Sequence, residues 1–244
     1  MDKVISKVKK LIEMHKQGLL GGEFMPEDSN PEFDKNSEEN LVYFTLPMAL
    51  NYQRDSYKLW QSALATWNDV ESKDVFDLNC VCEMSSEELK LKLVKHKVAL
   101  QPNKQPLIWR KLCETFNKGF GGVKLFFENF DCDIVKIKEY ITNNKKDFPY
   151  LSGTKILNYW LYVICNYTGI SLKNKHEISV APDTHVLQSS VKLGVILKEE
   201  LLKNNIREIA SERWKNILQG TGIDPIDIHT PFWLWSRNGF VVEV

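Results

Sequence analysis

Apolar positions recur along this chain at intervals of three and four residues, the spacing of helices that bury one face. In residues 2–17, Val4, Ile5, Val8, Leu11 and Ile12 fall on one stripe, and Gly18 follows where such a helix would stop. Residues 47–68 repeat the pattern behind Pro47, a residue suited to a helix first turn. Ser85 and Glu88 have the spacing of a capping box for a helix running to about Leu100. The same period predicts helices over about 104–117, 122–129, 133–143, 154–167, 184–193, 197–204, 206–219 and 225–237. Alternating strand patterns are scarce. The chain therefore reads as all-α, in two helical lobes and without an internal repeat. One stretch departs from the pattern. Residues 21–40, GGEFMPEDSNPEFDKNSEEN, are acidic and nearly aperiodic, and are expected to form a surface loop or a mobile connection. That sets residues 1–45 apart as a helix and acidic loop, with 46–244 as the main fold.

Composition adds little by itself. A chain of 244 residues, 43% hydrophobic and 26% charged, buries an ordinary globular core without help from metals or disulfides. The five cysteines (Cys80, Cys82, Cys113, Cys132 and Cys165) are odd in number and scattered, which reads as reduced thiols and a cytoplasmic setting. No apolar run approaches the ~20 residues that span a bilayer, so neither membrane insertion nor secretion is expected. Charge changes the picture more. The formal net charge is zero, yet residues 90–175 hold 16 Lys and Arg against 6 Asp and Glu, whereas residues 1–45 hold 6 against 9. The middle of the chain is suited to face a polyanion, although lysine-rich solvated helices produce the same asymmetry.

The candidate chemistry lies in residues 133–194. A predicted helix is followed by a polar hairpin (Asn143 to Asp147, then Phe148-Pro149-Tyr150-Leu151), a Ser152-Gly153-Thr154 turn and a second helix opening at Lys155. This is the outline of a helix-hairpin-helix. A small-residue turn entering a helix aims backbone N–H groups outward, where they can hold a phosphate. Lys155 sits in the first turn, whose positive dipole end opposes a second positive charge and so favours the neutral amine that a Schiff-base nucleophile requires. Asp183, between Pro182 and Thr184-His185-Val186, has the position of an N-cap for the next helix, where negative charge is favoured. An amine and a carboxylate of this kind suit attack at a sugar carbon: the carboxylate supports cationic character as a base leaves, and the amine captures the carbon.

The runs L-S-G-T-K at 151–155 and P-D-T-H-V at 182–186 resemble the catalytic signature of the helix-hairpin-helix DNA glycosylases. The nearer resemblance is to the archaeal 8-oxoguanine DNA glycosylases, through Lys155-Ile156-Leu157-Asn158-Tyr159 and the late Thr221-Gly222-Ile223-Asp224-Pro225 ahead of an aromatic helix. The resemblance is firm from about 145 to 240, slighter from 46 to 130, and does not reach residues 1–45. It implies an active site in the cleft between two helical lobes, with Lys155 attacking C1′ and Asp183 assisting base departure and β-elimination. It also implies that Tyr159 and Trp233 sandwich an extruded base, that His229 stands where the group has an acid that reads the base, and that Gln53, in Asn51-Tyr52-Gln53, fills the space the base vacates. Ser152, Gly153 and Thr154 would bind the DNA backbone. The partner implied is double-stranded DNA with a damaged base, met by a monomer. With no cysteine after Cys165, the four-cysteine cluster of the endonuclease III branch cannot be built beyond Asp183. No metal or other cofactor is expected.

Each of these residues also has an ordinary reading. Lysines are mostly solvated, Asp183 could be only a cap, Tyr159 and Trp233 could be core aromatics, and His185 beside Asp183 points in another direction along a helix. Gly119, Gly121 and Gly122 imitate a phosphate loop, but no Gly-Lys-Ser/Thr follows. The alternatives to 8-oxoguanine excision are the same fold acting on another damaged base, a non-catalytic helical DNA-binding module, and a helical protein-interaction domain.

Overall fold

A computed structural model describes residues 2–21, 24–180 and 182–244. Met1, Ala181, and the Gly22 and Glu23 of the expected acidic loop lie outside the described residues. The chain is helical, with no strand among the described residues and one isolated bridge between Asp133 and Lys173. In order, the α-helices are α1 (Asp2–Lys16), α2 (Glu38–Ala49), α3 (Ser56–Asn68), α4 (Leu78–Glu83), α5 (Ser86–Lys95), α6 (Gln105–Phe120), α7 (Val123–Asn129), α8 (Ile134–Asn143), α9 (Thr154–Tyr167), α10 (Thr184–Lys192), α11 (Ile206–Leu218) and α12 (His229–Arg237). Short 3-10 turns occupy Pro26–Asp28, Lys73–Phe76, Lys175–Glu177, Lys198–Leu202 and Pro225–Ile228.

The helices divide into two compact units, Phe24–Asn174 and a discontinuous one made of Met1–Glu23 with Lys175–Val244. This division falls elsewhere than the boundary expected at residue 45, which runs through the middle of α2. Residues 2–21 belong with the C-terminal segment, and residues 24–40 of the acidic stretch belong with the central helices.

In the Phe24–Asn174 unit, α2 is buried on every side from Asn40 to Ala49, and it packs on α3, α6, α7 and α9. A helix with no polar face carries no periodic signal, which is why its pattern was not legible as a helix start. Its two buried polar side chains find partners. Asn40 donates to the carbonyls of Lys35 (3.3 Å) and Tyr167 (3.0 Å), and Thr45 accepts the Trp160 indole N–H at 3.0 Å. Its own Tyr43 and Phe44 are fully buried, as are Trp60, Trp109, Phe116, Phe126, Phe127, Phe148 and Trp160 of the same unit.

The single helix expected over 47–68 is two helices. Pro47 lies in the last turn of α2, not in a first turn, and the chain leaves the helix two residues after it. Pro47 supplies no backbone N–H, and the turn closes with short-range bonds from Leu50 to Pro47 and Asn51 to Met48. Residues 51–55 then reverse the chain, and Asp55 restarts it by accepting the Lys58 N–H as the α3 N-cap. The described residues of the stretch from 21 to 40 are mostly exposed or half-buried, as in a surface loop, but depart from one in two places. Pro26 and Glu27 are buried, and α2 begins at Glu38 behind a Ser37 cap. The helix foreseen from Ser85 stops at Lys95, the one foreseen over 197–204 is a 3-10 turn over Lys198–Leu202, and the one foreseen over 225–237 is α12 preceded by a 3-10 turn over Pro225–Ile228.

In the discontinuous unit, α1 contributes Val8 and Leu11 to a core with Val186, Trp214, Leu218, Ile228, Phe232 and Trp235. Trp214 donates to Ser190 Oγ (2.8 Å), which itself donates to the Val186 carbonyl (2.7 Å). Lys10 reaches the Glu243 carbonyl at 2.9 Å, and Asn238 donates to that of Leu20 at 2.5 Å, joining the first and last helices of the chain. Among the described residues no helix is long and apolar enough to cross a membrane.

Candidate functional site

Within the Phe24–Asn174 unit, the structure builds a helix, a tight turn and a helix from residues 134–167. The turn is held from several directions. Ser152 N–H donates to the Phe148 carbonyl (2.9 Å) and Gly153 N–H to that of Tyr150 (3.0 Å). Thr115 Oγ1 donates to the Asp147 carbonyl (2.9 Å), and Lys111 pairs with the Asp147 carboxylate (2.7 Å). Tyr150 takes a left-handed φ of 61°, and its ring is stacked by Tyr52 at 5.7 Å and covered by the Lys104 ammonium at 5.0 Å.

Gly153 is the N-cap of α9. It brings no side chain to its first-turn N–H groups, so these are left for solvent or a ligand. Its φ of −68° is open to any residue; the constraint is space, since a Cβ there would stand 3.2 Å from the Tyr150 carbonyl oxygen. Gly153, Thr154 and Lys155 are exposed and Ser152 is half-buried. Asn158, nearly fully buried, donates to the Thr154 carbonyl (2.8 Å) and accepts Lys138 Nζ (3.1 Å), which fastens α8 to the first turn of α9. Lys145 and Lys146, earlier in the same hairpin, are exposed and add positive charge to it.

Lys155 is thus placed as the sequence foresaw, in the first turn of α9. Tyr159 follows four residues on, on the same face. The residue is half-buried, and its hydroxyl bonds to Glu27. Burial and the Glu27 carboxyl hold that hydroxyl well above the ordinary phenol range. Gln53 is exposed, in a left-handed conformation (φ 52°), in the loop whose Tyr52 stacks on Tyr150. Arg54 fixes this loop by donating to the carbonyls of Val98 (2.7 Å) and Lys97 (3.1 Å).

In the discontinuous unit, Asp183 is the N-cap of α10 and accepts the Val186 N–H at 2.9 Å, as its position predicts. Arg207 donates to the neighbouring Pro182 carbonyl at 3.0 Å. His185 is a packing residue. Its Nδ1 lies 3.1 Å from Ser236 Oγ, and its ring meets Trp233 edge-on at 5.8 Å. Trp233 is half-buried, with the Arg237 guanidinium 4.7 Å from its ring centre. His229 opens α12 and is buried. The predicted residues therefore fall into two local groups. Ser152, Gly153, Thr154, Lys155, Tyr159 and Gln53 belong to one unit, while Asp183, His229 and Trp233 belong to the other. Among the described residues no group of three or more His, Cys, Asp or Glu side chains is placed to hold a metal.

Sequence reasoning missed Glu27. It is 1% exposed and accepts the Trp60 indole N–H at 3.0 Å as well as the Tyr159 hydroxyl. Burial raises its carboxyl from 4.5 to about 7, the hydrogen bonds opposing only part of that. Pro26 at the head of a short turn, preceding an acid pair, was the one available signal. Comparison with protein-family models, with curated proteins and with solved structures gave no match.

Proposed function

We propose that this chain is a DNA glycosylase with an associated lyase activity, which excises an oxidised purine, foremost 8-oxoguanine, from double-stranded DNA. The observation that carries the reading is the surrounding of Lys155: an exposed residue in the first turn of a helix whose glycine cap leaves the first-turn amides without a side-chain partner, at the end of a braced hairpin that carries further exposed lysines. Amides of that kind hold a phosphate, and the amine beside them is then within reach of the sugar attached to it. Asp183, fixed as a cap, supplies the carboxylate. The likeness of L-S-G-T-K and P-D-T-H-V to the glycosylase signature supports the same pair.

In the reaction, the Lys155 lone pair forms a bond to C1′ while the C1′–N9 bond breaks, and the base leaves with that electron pair and takes up a proton. Asp183 supports the cationic sugar during this step. The sugar ring opens to an imine on Lys155, and loss of the C2′ proton expels the 3′ phosphate. Aromatic faces at Tyr159 and Trp233 would offset the few kcal/mol lost when a base leaves its stack.

Borohydride added during incubation with an 8-oxoguanine duplex should trap a covalent adduct on the wild-type chain and none on Lys155→Gln. Equal trapping by the variant refutes the nucleophile, and salt-sensitive duplex binding without cleavage at any lesion would make the chain a binding module. A second reading rests on His229. A buried imidazole where the resembling group has an acid favours a different damaged base, and competition among lesion duplexes decides between them.

A further inference from the structure

We infer that Glu27 is a positioning residue of this site, one whose buried carboxyl holds the Tyr159 ring and makes turnover depend on its own proton. The inference rests on the proposed glycosylase reading for its catalytic consequence and on the geometry of the Phe24–Asn174 unit for the rest.

The segment that carries Glu27 is tied down on every side. Met25 N–H donates to the Asp28 carboxylate (2.6 Å), and Asn30 Nδ2 to the Glu27 carbonyl (3.0 Å). From α2, the Tyr43 hydroxyl donates to the Ser29 carbonyl (2.8 Å), and from α9 the Tyr167 hydroxyl donates to Asp28 (2.9 Å). From α3 comes the Trp60 indole on Glu27 itself (3.0 Å), and the Tyr57 hydroxyl donates to the Phe24 carbonyl (2.8 Å).

The groups acting most strongly on the carboxyl are its own backbone, Tyr159, Trp60 and the like-charged Asp28, none of them a cation. Tyr162 of α9 stacks on the Tyr159 ring at 5.9 Å, and burial holds the Tyr167 hydroxyl, which bonds to Asp28, well above the ordinary phenol range. A buried acid whose strongest partners are neutral groups is costly to ionise, and Tyr159 and Trp60 are both donors toward it. Ionised, it accepts the Tyr159 hydroxyl and the indole through charge-assisted bonds; protonated, both bonds weaken and the ring loosens. Tyr159 stands one helical turn beyond Lys155, so the loosened ring is the one assigned to the extruded base.

The test uses the full-length chain, with Glu27→Gln and Tyr159→Phe. Gln keeps an acceptor for both donors and cannot titrate. The Trp60 indole N–H resonance should shift with pH around neutrality in the wild type, stay flat in Glu27→Gln, and move its midpoint upward in Tyr159→Phe, which removes a donor to the ionised form. In single-turnover trapping on an 8-oxoguanine duplex, the ratio of wild-type to Glu27→Gln rate should rise about threefold to tenfold on passing from mildly acid to mildly alkaline pH, the gain expected when one hydrogen bond acquires charge assistance. A merely structural glutamate would lower the rate by a constant factor. A pH-independent ratio, or an indole resonance that titrates alike in Glu27→Gln, overturns the inference. Should the wild type trap at no pH, the glycosylase reading falls, and Glu27's catalytic role with it, while the indole titration still reports whether the carboxyl is coupled to its neighbours.

Discussion

Replacing Glu27 by glutamine should change how the stability of the Phe24–Asn174 unit depends on pH. Unfolded, the carboxyl titrates near its ordinary 4.5; folded, it titrates at about 7. Below the lower value both states are protonated and the group contributes no difference. Between the two, the folded state keeps the proton while the unfolded state releases it. Above about 7 both are ionised, and the folded state bears the whole cost of a buried charge. The wild type therefore loses stability as pH rises through this window. The separation between 4.5 and about 7, at 1.36 kcal/mol per pH unit, gives a loss of about 3 kcal/mol. Glutamine carries no such term. Its amide donors, buried among groups that themselves donate, cost about 1–3 kcal/mol, but that cost is independent of pH. Urea unfolding of both proteins at mildly acid and mildly alkaline pH, followed by a signal from Trp60, separates the two effects, because every other titrating group is common to the pair. The variant should be the less stable protein in acid and recover most or all of that deficit in alkali. A difference that stays constant within about 0.5 kcal/mol across the range would refute the burial argument.

Three further outcomes follow from the local geometry. Asp183→Asn should leave stability within about 0.5 kcal/mol, because asparagine caps a helix as well as aspartate, while base release slows about a hundredfold or more; equal loss of stability and rate would reduce Asp183 to a cap. Gly153→Ala should cost under about 1 kcal/mol of stability, since its backbone suits alanine, yet weaken duplex binding about threefold to tenfold as the Cβ pushes on the Tyr150 carbonyl and tilts the amides; unchanged affinity would remove the turn from the DNA interface. Trp160→Ala should lower stability by about 3–5 kcal/mol in urea unfolding, because the side chain is fully buried and its indole serves Thr45.

Helices with one wet face were legible in the sequence. The expected 133–143 and 154–167 became α8 (Ile134–Asn143) and α9 (Thr154–Tyr167) nearly to the residue, and Asp183 caps α10 as its position implied. Elements without a wet face were not. Leu41 to Ala49 is apolar almost throughout, and period alone cannot separate a fully buried helix from a buried strand or place its ends. The lost break at 51–55 has the same cause, as apolar spacing on either side happens to stay in phase. At the candidate site, Lys155 and its turn were readable because the chemistry there is local in sequence. Glu27 was not, because its environment is assembled from Trp60 and Tyr159, 33 and 132 positions away, and an acid in an acidic stretch looks solvated until those partners are known.

The discontinuous unit also has a consequence for biosynthesis. Ribosomes emit α1 first, yet the residues that cover Val8 and Leu11, among them Phe232 and Trp235, come from the other end of the chain. At ~5–20 residues per second, the apolar stripe of α1 waits ~10–40 s for its partners, while the Phe24–Asn174 unit has its whole sequence available well before then. Cotranslational folding would thus run from the centre outward. The lysines at positions 3, 7, 9, 10 and 16 give α1 a strongly charged remainder, which favours solubility while its stripe is uncovered.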